Sequence, residues 1–221
     1  MNRRFVLAGG SGLVGRALAS QISADVQCSA LHLLLRKPLP ELETLPHAHA
    51  VPWVDGQMPA LPASDVGLCA LGTTIQTAGS QAAFRAVDFD AVLAFAQVAR
   101  QAGTRRFGVV SALGADVNSR VFYNRIKGEI EQALSALGFE TLVIARPSLL
   151  LGNRTGLGQS PRMAEALAQT VASALAWITP VRWRAIQADT VAQAMLKALH
   201  DARPGVHILE SDQLQRIGGS A

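Results

Sequence analysis

Phe5-Val6-Leu7-Ala8-Gly9-Gly10-Ser11-Gly12-Leu13-Val14-Gly15 sets a short apolar run against a glycine-rich turn. Phe5 to Ala8, bounded by Arg3-Arg4 and Gly9, has the pattern of a parallel strand covered on both faces. The glycines fit two templates at once, Gly10-x-Gly12-x-x-Gly15 and Gly9-x-x-Gly12-x-x-Gly15, and a helix is expected from Gly12 to about Ser23. A bare run of glycines says little. Between a strand and a helix, however, it lets backbone N–H groups and the helix dipole meet a pyrophosphate. The order strand, turn, helix therefore predicts a Rossmann-type dinucleotide-binding fold in which Gly9, Ser11, Gly12, Leu13, Val14 and Gly15 meet the cofactor.

Working outward, apolar strand patterns recur at Leu31–Leu35, around Val51–Val54, and at Val66–Leu71, Phe107–Ser111 and Thr141–Ala145. Between them lie a long helix from Ser80 to Gly103, with Phe84, Val87, Ala91, Phe95 and Val98 at three- and four-residue intervals, and a helix from about Ser119 to Leu137. This alternation implies an α/β, doubly wound parallel sheet with helices on both faces. Beyond Arg146 the pattern becomes a Gly/Arg-rich loop, a helix from about Met163 to Ile178, a helix from Asp189 to His200 and a last strand, Val206–Leu209. That is too little for a second domain. The expectation is one NAD(P)-binding domain, residues 1–221, with residues 147–185 forming a small substrate cap over the carboxyl ends of the strands and the final residues from Ile217 frayed.

Composition narrows the classes. Of 221 residues, 49% are hydrophobic and 16% charged, which suits a packed core and excludes a disordered chain. The net charge of +4 rests on scattered single and paired arginines, without the dense basic run or interleaved aromatics of a nucleic-acid surface. Cys28 and Cys69 stand far apart in apolar segments, as reduced core thiols do, and no apolar stretch has the length of a membrane span or the form of a signal peptide. A soluble cytoplasmic protein is the expectation. His47 and His49 make two ligands without a third and do not predict a metal. Monomer and homodimer are both left open.

The second strand bears on cofactor choice. NAD sites carry an acidic residue about 20 positions beyond the glycines to bind the ribose 2′-OH. Arg36 and Lys37 stand there instead, and a cation suits the 2′-phosphate of NADP(H), with Ser11 adding a hydroxyl donor. Asp55, at the end of the third strand, is placed to accept from the adenine amine.

Tyr123 and Lys127 lie four residues apart, hence on one face of their helix, and Tyr123 is the chain's single tyrosine. Ser111 ends the preceding strand at the mouth of the same cleft. Carbonyl reduction needs a hydride from a nicotinamide and a proton for the forming alkoxide. A phenol can give that proton, a neighbouring ammonium favours its ionised form, and Ser111 is expected to hydrogen-bond the carbonyl oxygen. The function these residues imply is an NADP(H)-dependent oxidoreductase acting on a small carbonyl compound. The alternative is a protein that binds NADP(H) without catalysis, as a regulator or scaffold.

Gly9-x-x-Gly12-x-x-Gly15, Ser111 and Tyr123-x-x-x-Lys127, in that order, resemble the short-chain dehydrogenase/reductase superfamily. Cys69-Ala70-Leu71-Gly72-Thr73-Thr74-Ile75-Gln76-Thr77-Ala78-Gly79-Ser80, followed by Phe84 and Val87-Asp88, is similar to its atypical branch of Tat-interacting-protein-like oxidoreductases, as are Val110–Ala115 and Arg146-Pro147-Ser148. The resemblance implies that Leu71, Gly72 and Thr73 line the path from the adenosine ribose towards the nicotinamide, which Pro147 and Ser148 flank. It also agrees with NADP(H) at Arg36, since members bind NADP(H) more often than NAD. These motifs do not place the asparagine that typical members add to Ser, Tyr and Lys.

Overall fold

The computed structural model describes residues 2–54, 56–152 and 180–219. Strand β1 (Arg3–Ala8) lies inside a seven-stranded sheet. On one side it pairs with β2 (Cys28–Leu35), which pairs with β3 (Ala48–Pro52). On the other it pairs with β4 (Val66–Cys69), followed by β5 (Arg106–Val110), β6 (Thr141–Arg146) and β9 (Gly205–Glu210). The order is β3-β2-β1-β4-β5-β6-β9 and every pairing is parallel. Chain direction across the sheet reverses at β1, so the loops after β1 and β4 diverge and leave a crevice at their carboxyl ends.

Successive residues of β1 serve opposite faces. Leu7 joins Leu33, Leu68 and Val143 beneath α1 (Leu13–Ser23) and α7 (Ala188–Asp201), whose Leu18, Ile22, Val191 and Met195 complete that layer. Val6 and Ala8 join Leu34, Cys69 and Ile144 on the other face, covered by Phe95 and Ala99 of α5 (Val92–Gln101) and Ile130 and Leu134 of α6 (Phe122–Ser135). This two-sided burial is why the strands are continuous apolar runs rather than alternating ones. The doubly wound sheet expected from the sequence is the fold observed.

Several boundaries differ. The strand expected at Val51–Val54 occupies Ala48–Pro52, because the apolar pattern gives no weight to His49 or Ala50 on an edge strand. A short helix, α2 (Pro40–Glu43), stands in the Pro-rich segment before it. The long helix starting after Ser80 is in three parts: α4 (Gln81–Arg85), a π segment (Ala86–Ala91) and α5. Ser80 caps it, its hydroxyl accepting from the Ala83 amide, and Gly103 ends it in the left-handed region at φ 94°. Helix α3 (Ile75–Ala78) precedes it.

The expectation of frayed residues from Ile217 is corrected: Ile217 and Gly218 belong to α8 (Ser211–Gly218). Glu210 and Gln213 form a capping box at its start, and Leu214 is fully buried. Of the cap, residues 153–179, including the helix expected from Met163 to Ile178, lie outside the described residues. Strand β7 (Leu150–Leu151), near the start of the cap, pairs in parallel with β8 (Ile186–Gln187), which follows it. Among the described residues no helix is long and apolar enough to cross a membrane, and no cluster of three or more metal-ligating side chains forms.

Candidate functional site

The glycine turn makes the first part of the site. Gly9 has φ 85°, and a Cβ there would lie 2.4 Å from the Ala70 carbonyl carbon. At Gly15 a Cβ would lie 2.0 Å from the Gly9 carbonyl oxygen. These two glycines let helix α1 and the loop after β4 close on the turn. Gly10 has an ordinary φ, and a Cβ there would meet only the flexible ends of Leu42 and Leu35, so the template in use is Gly9-x-x-Gly12-x-x-Gly15. Gly12 is the N-cap of α1 and no side chain caps the helix. The first N–H groups of α1 are therefore offered to an anion, not to the protein.

Two clefts run from this turn and meet at Leu71. One, of about 410 Å³, is lined by Gly9, Gly10, Ser11, Arg36 and Lys37 together with Trp53. The Arg36 guanidinium lies 6.0 Å from the centre of the Trp53 ring. Asp55, expected beside the adenine, lies outside the described residues. The second cleft, of about 300 Å³, is lined by Gly12, Leu13 and Val14 on one wall and by Leu71, Gly72 and Thr73 on another. Ser111, Tyr123 and Lys127 form its remaining side, so the three residues singled out for their chemistry do meet in one cleft beside the glycine turn.

Helix α6 supplies Tyr123 in its first turn and Lys127 one turn later. It sits close against the loop after β5: a Cβ at Gly128 would lie 2.3 Å from the Val117 amide nitrogen. The Tyr123 ring rests 5.5 Å from that of Phe84, a fully buried residue of α4. Lys127 is buried, and its ammonium lies 2.8 Å from Asp88 Oδ1. Asp88 Oδ2 accepts from the Thr73 amide at 2.8 Å. Burial disfavours the Lys127 charge, but the Asp88 carboxylate and then Tyr123 favour it, and the net effect holds its pKa above the ordinary value. The Cys69 thiol beneath is pushed up to about 12, chiefly by burial.

Ser111 follows β5, its amide donating to the Ala145 carbonyl at 2.7 Å. Its hydroxyl donates to Glu131 Oε1. Glu131 is gripped by Arg146 through both oxygens, at 3.0 and 2.6 Å, and Arg146 reaches Glu210 at 3.0 Å. The bond to Glu131, with burial opposing it, holds the Arg146 guanidinium well above its ordinary pKa. Pro147 and Ser148 are not among the residues lining either cleft. Pro147 accepts from the Leu113 amide at 3.0 Å, while the Ser148 hydroxyl turns to the Arg184 carbonyl and receives the Ser211 hydroxyl at 3.0 Å.

Asp88, Glu131 and Arg146 were given no role by sequence reading. Signals existed for two of them. Asp88 stands four residues after Phe84, on the face meant for the core, and Glu131 stands four after Lys127 on the face meant for the site.

No family model matches the chain. Protein FMP52, mitochondrial, of Eremothecium gossypii is 34% identical over 224 residues, spanning 95% of this chain and 94% of the relative. Protein HTATIP2 of Rattus norvegicus is 32% identical over 226 residues, spanning 98% and 90%. Among solved structures, a short-chain type dehydrogenase/reductase from Mycobacterium ulcerans has a TM-score of 0.70 at 16% identity, covering 97% of this chain and 90% of that one. MoeE5 in complex with UDP-glucose and NAD has a TM-score of 0.69 at 13% identity, covering 98% and 81%. These likenesses support the doubly wound, NAD(P)-binding fold as a class. The expectation of a cytoplasmic protein is corrected, because FMP52 relatives from several fungi carry the word mitochondrial in their names. Two buried free thiols are compatible with any reducing compartment and do not single out the cytoplasm.

Proposed function

Because the chain belongs to the Tat-interacting-protein-like branch of the atypical short-chain dehydrogenases/reductases, with FMP52 and HTATIP2 as relatives, we propose that it is an NADP(H)-dependent oxidoreductase reducing a small carbonyl compound. The observation that carries this reading is the meeting of Tyr123, Lys127 and Ser111 in the cleft that opens from the glycine turn. The chain's residues fit the cofactor: α1 offers uncapped N–H groups, Gly9 and Gly15 leave no room for a side chain, and Arg36 and Lys37 stand in the adjoining cleft. When bound, the nicotinamide supplies the hydride.

Tyr123 is the general acid, giving its phenolic proton to the oxygen that becomes the alcohol. Lys127 holds a positive charge one turn away, buried beneath the cleft, and steadies the phenolate left behind. Ser111 departs from its expected part. Its single proton is engaged by Glu131, so towards the cleft it presents lone pairs, suited to accepting from Tyr123 or from a substrate hydroxyl rather than donating to a carbonyl. Substrate choice is assigned to residues 147–185, of which Leu150 lines the cleft.

The test is turnover of a broad panel of aldehydes and ketones with NADPH. Tyr123→Phe should lower kcat/KM by about a hundredfold or more, in the range of a lost general acid. Tight NADPH binding with no turnover across the panel would replace the reading with a non-catalytic one. For cofactor choice, Arg36→Asp should weaken NADPH by about tenfold or more and NADH little, as expected on losing a charge-assisted phosphate contact. Equal losses for both would remove Arg36 as the phosphate ligand.

A further inference from the structure

Asp88 is 1% exposed, more deeply buried than any other acidic residue among those described. A carboxylate taken out of water is retained only where partners replace its hydration. Its two partners come from two walls of the candidate site: the Lys127 ammonium on α6 and the Thr73 amide in the loop after β4, each at 2.8 Å. Asp88 itself comes from a third element, the π segment Ala86–Ala91.

Helical spacing turns it inward, from within the π segment. Phe84, Asp88 and Val92 are all buried at intervals of four residues. At 3.6 residues per turn, two such intervals rotate the helix face by about 80°, within the stripe of about 100° that a helix buries. Turns closed by i→i+5 bonds are wider and draw the three closer into line.

We propose that Asp88 is a positioning residue that ties the Lys127 ammonium and the Thr73 loop into one unit, fixing the lysine's charge and its place beside Tyr123 and the cofactor. The groups that face Lys127 are Tyr123 on its own helix, Asp88 from the π segment and the Cys69 thiol from β4. Cys69 stays protonated, so Asp88 is the single full counter-charge in the set. Without it, burial pushes the ammonium to give up its proton, and a neutral lysine serves neither a phenolate nor a cofactor hydroxyl in the same way. The inference rests on Lys127 facing the cofactor, as in the function proposed above.

Two measurements on the full chain test it, neither needing the substrate. The sequence holds three lysines, Lys37, Lys127 and Lys197, so 13C-lysine labelling gives a spectrum in which Lys127 is assigned by Lys127→Met. In Asp88→Asn, which keeps an acceptor for Thr73, the Lys127 signal should reach its neutral position at lower pH than in the parent protein. An unchanged titration overturns the proposal. The second measurement is NADPH affinity in a mutant cycle. Asp88→Asn should weaken binding by about tenfold in the parent background, yet by less than about twofold once Lys127→Gln is present, because Asp88 acts through the lysine. Equal losses in both backgrounds overturn the proposal. Should Asp88→Asn alone not fold, the comparison of Lys127→Gln with the charge-free double variant decides by the same criterion. If the parent protein binds no NADP(H), the proposed function fails, and the lysine titration still decides the role of Asp88.

Discussion

At Gly15 a single methyl group would lie 2.0 Å from the Gly9 carbonyl oxygen, with backbone rather than a movable side chain in its way. Gly15→Ala should therefore abolish NADP(H) binding and lower stability by about 2 kcal/mol or more, as overpacking against fixed atoms does. Gly103→Ala is the control: nothing stands within 4 Å of its Cβ, and the cost is confined to a φ of 94°, about 1 kcal/mol. Equal melting temperatures for the two variants would contradict this. The buried pair makes a second contrast. Lys127→Met leaves Asp88 charged and uncompensated, which should cost about 3–5 kcal/mol in urea unfolding. Adding Asp88→Asn should restore much of that loss, and a double variant as unstable as the single one would show that the pair is not what is being read.

Elements carry a different part of the stability. Glu210 ends β9, starts α8 and accepts a charged bond from Arg146. Glu210→Ala removes a cap worth about 1 kcal/mol and a bond to a charged group worth about 1.5–3 kcal/mol. We expect a loss of about 2–4 kcal/mol by urea unfolding, and a change under about 0.5 kcal/mol would refute the double role. Legibility in the sequence followed the same division. Strand β1, the glycine turn and α1 were readable because their signals are local: a continuous apolar run, then glycines at fixed spacing. Tyr123 and Lys127 were readable because helical periodicity sets them on one face. The π segment was not, since Phe84, Val87 and Ala91 satisfy α spacing well enough to hide the inserted width. Asp88 with Lys127, Ser111 with Glu131 and Arg146 with Glu210 stayed hidden because each joins separate elements, the last two 20 and 64 residues apart. Helix α8 was missed because Gly218, Gly219 and Ser220 suggest a loose end, while its stability comes from Leu214 packing into the core.

For the molecule as a whole, the buried groups beneath the site set a limit on the alkaline side. Burial pushes the Cys69 thiol up to about 12 in the folded protein, against the ordinary 9.0 of an unfolded chain. A group that binds its proton more tightly in the folded state contributes stability that is whole below its unfolded value and is lost as pH rises towards the folded one. Lys127, where burial is outweighed by Asp88 so that its value is raised, acts with the same sign above its ordinary 10.5. Unfolding free energy should therefore decline from about pH 9.0 towards 12, with Cys69 contributing on the order of 4 kcal/mol by the upper end. Cys69→Ala should make the slope shallower, and an unaltered slope would assign the decline elsewhere.

The place of β9 in the sheet also governs what the chain experiences as it is made. Of the described strands of the sheet, β9 is the last to be synthesised, and β6, its neighbour, offers Leu142-Val143-Ile144-Ala145 as a bare apolar edge until then. Unpaired amides along such a run are a template for strands of other nascent chains. Arrival of Gly205–Glu210 shields it and brings Glu210 to Arg146 in the same step. The interval between emergence of β6 and of β9 is thus when aggregation competes most strongly with folding, and when a chaperone that covers strand edges would help most.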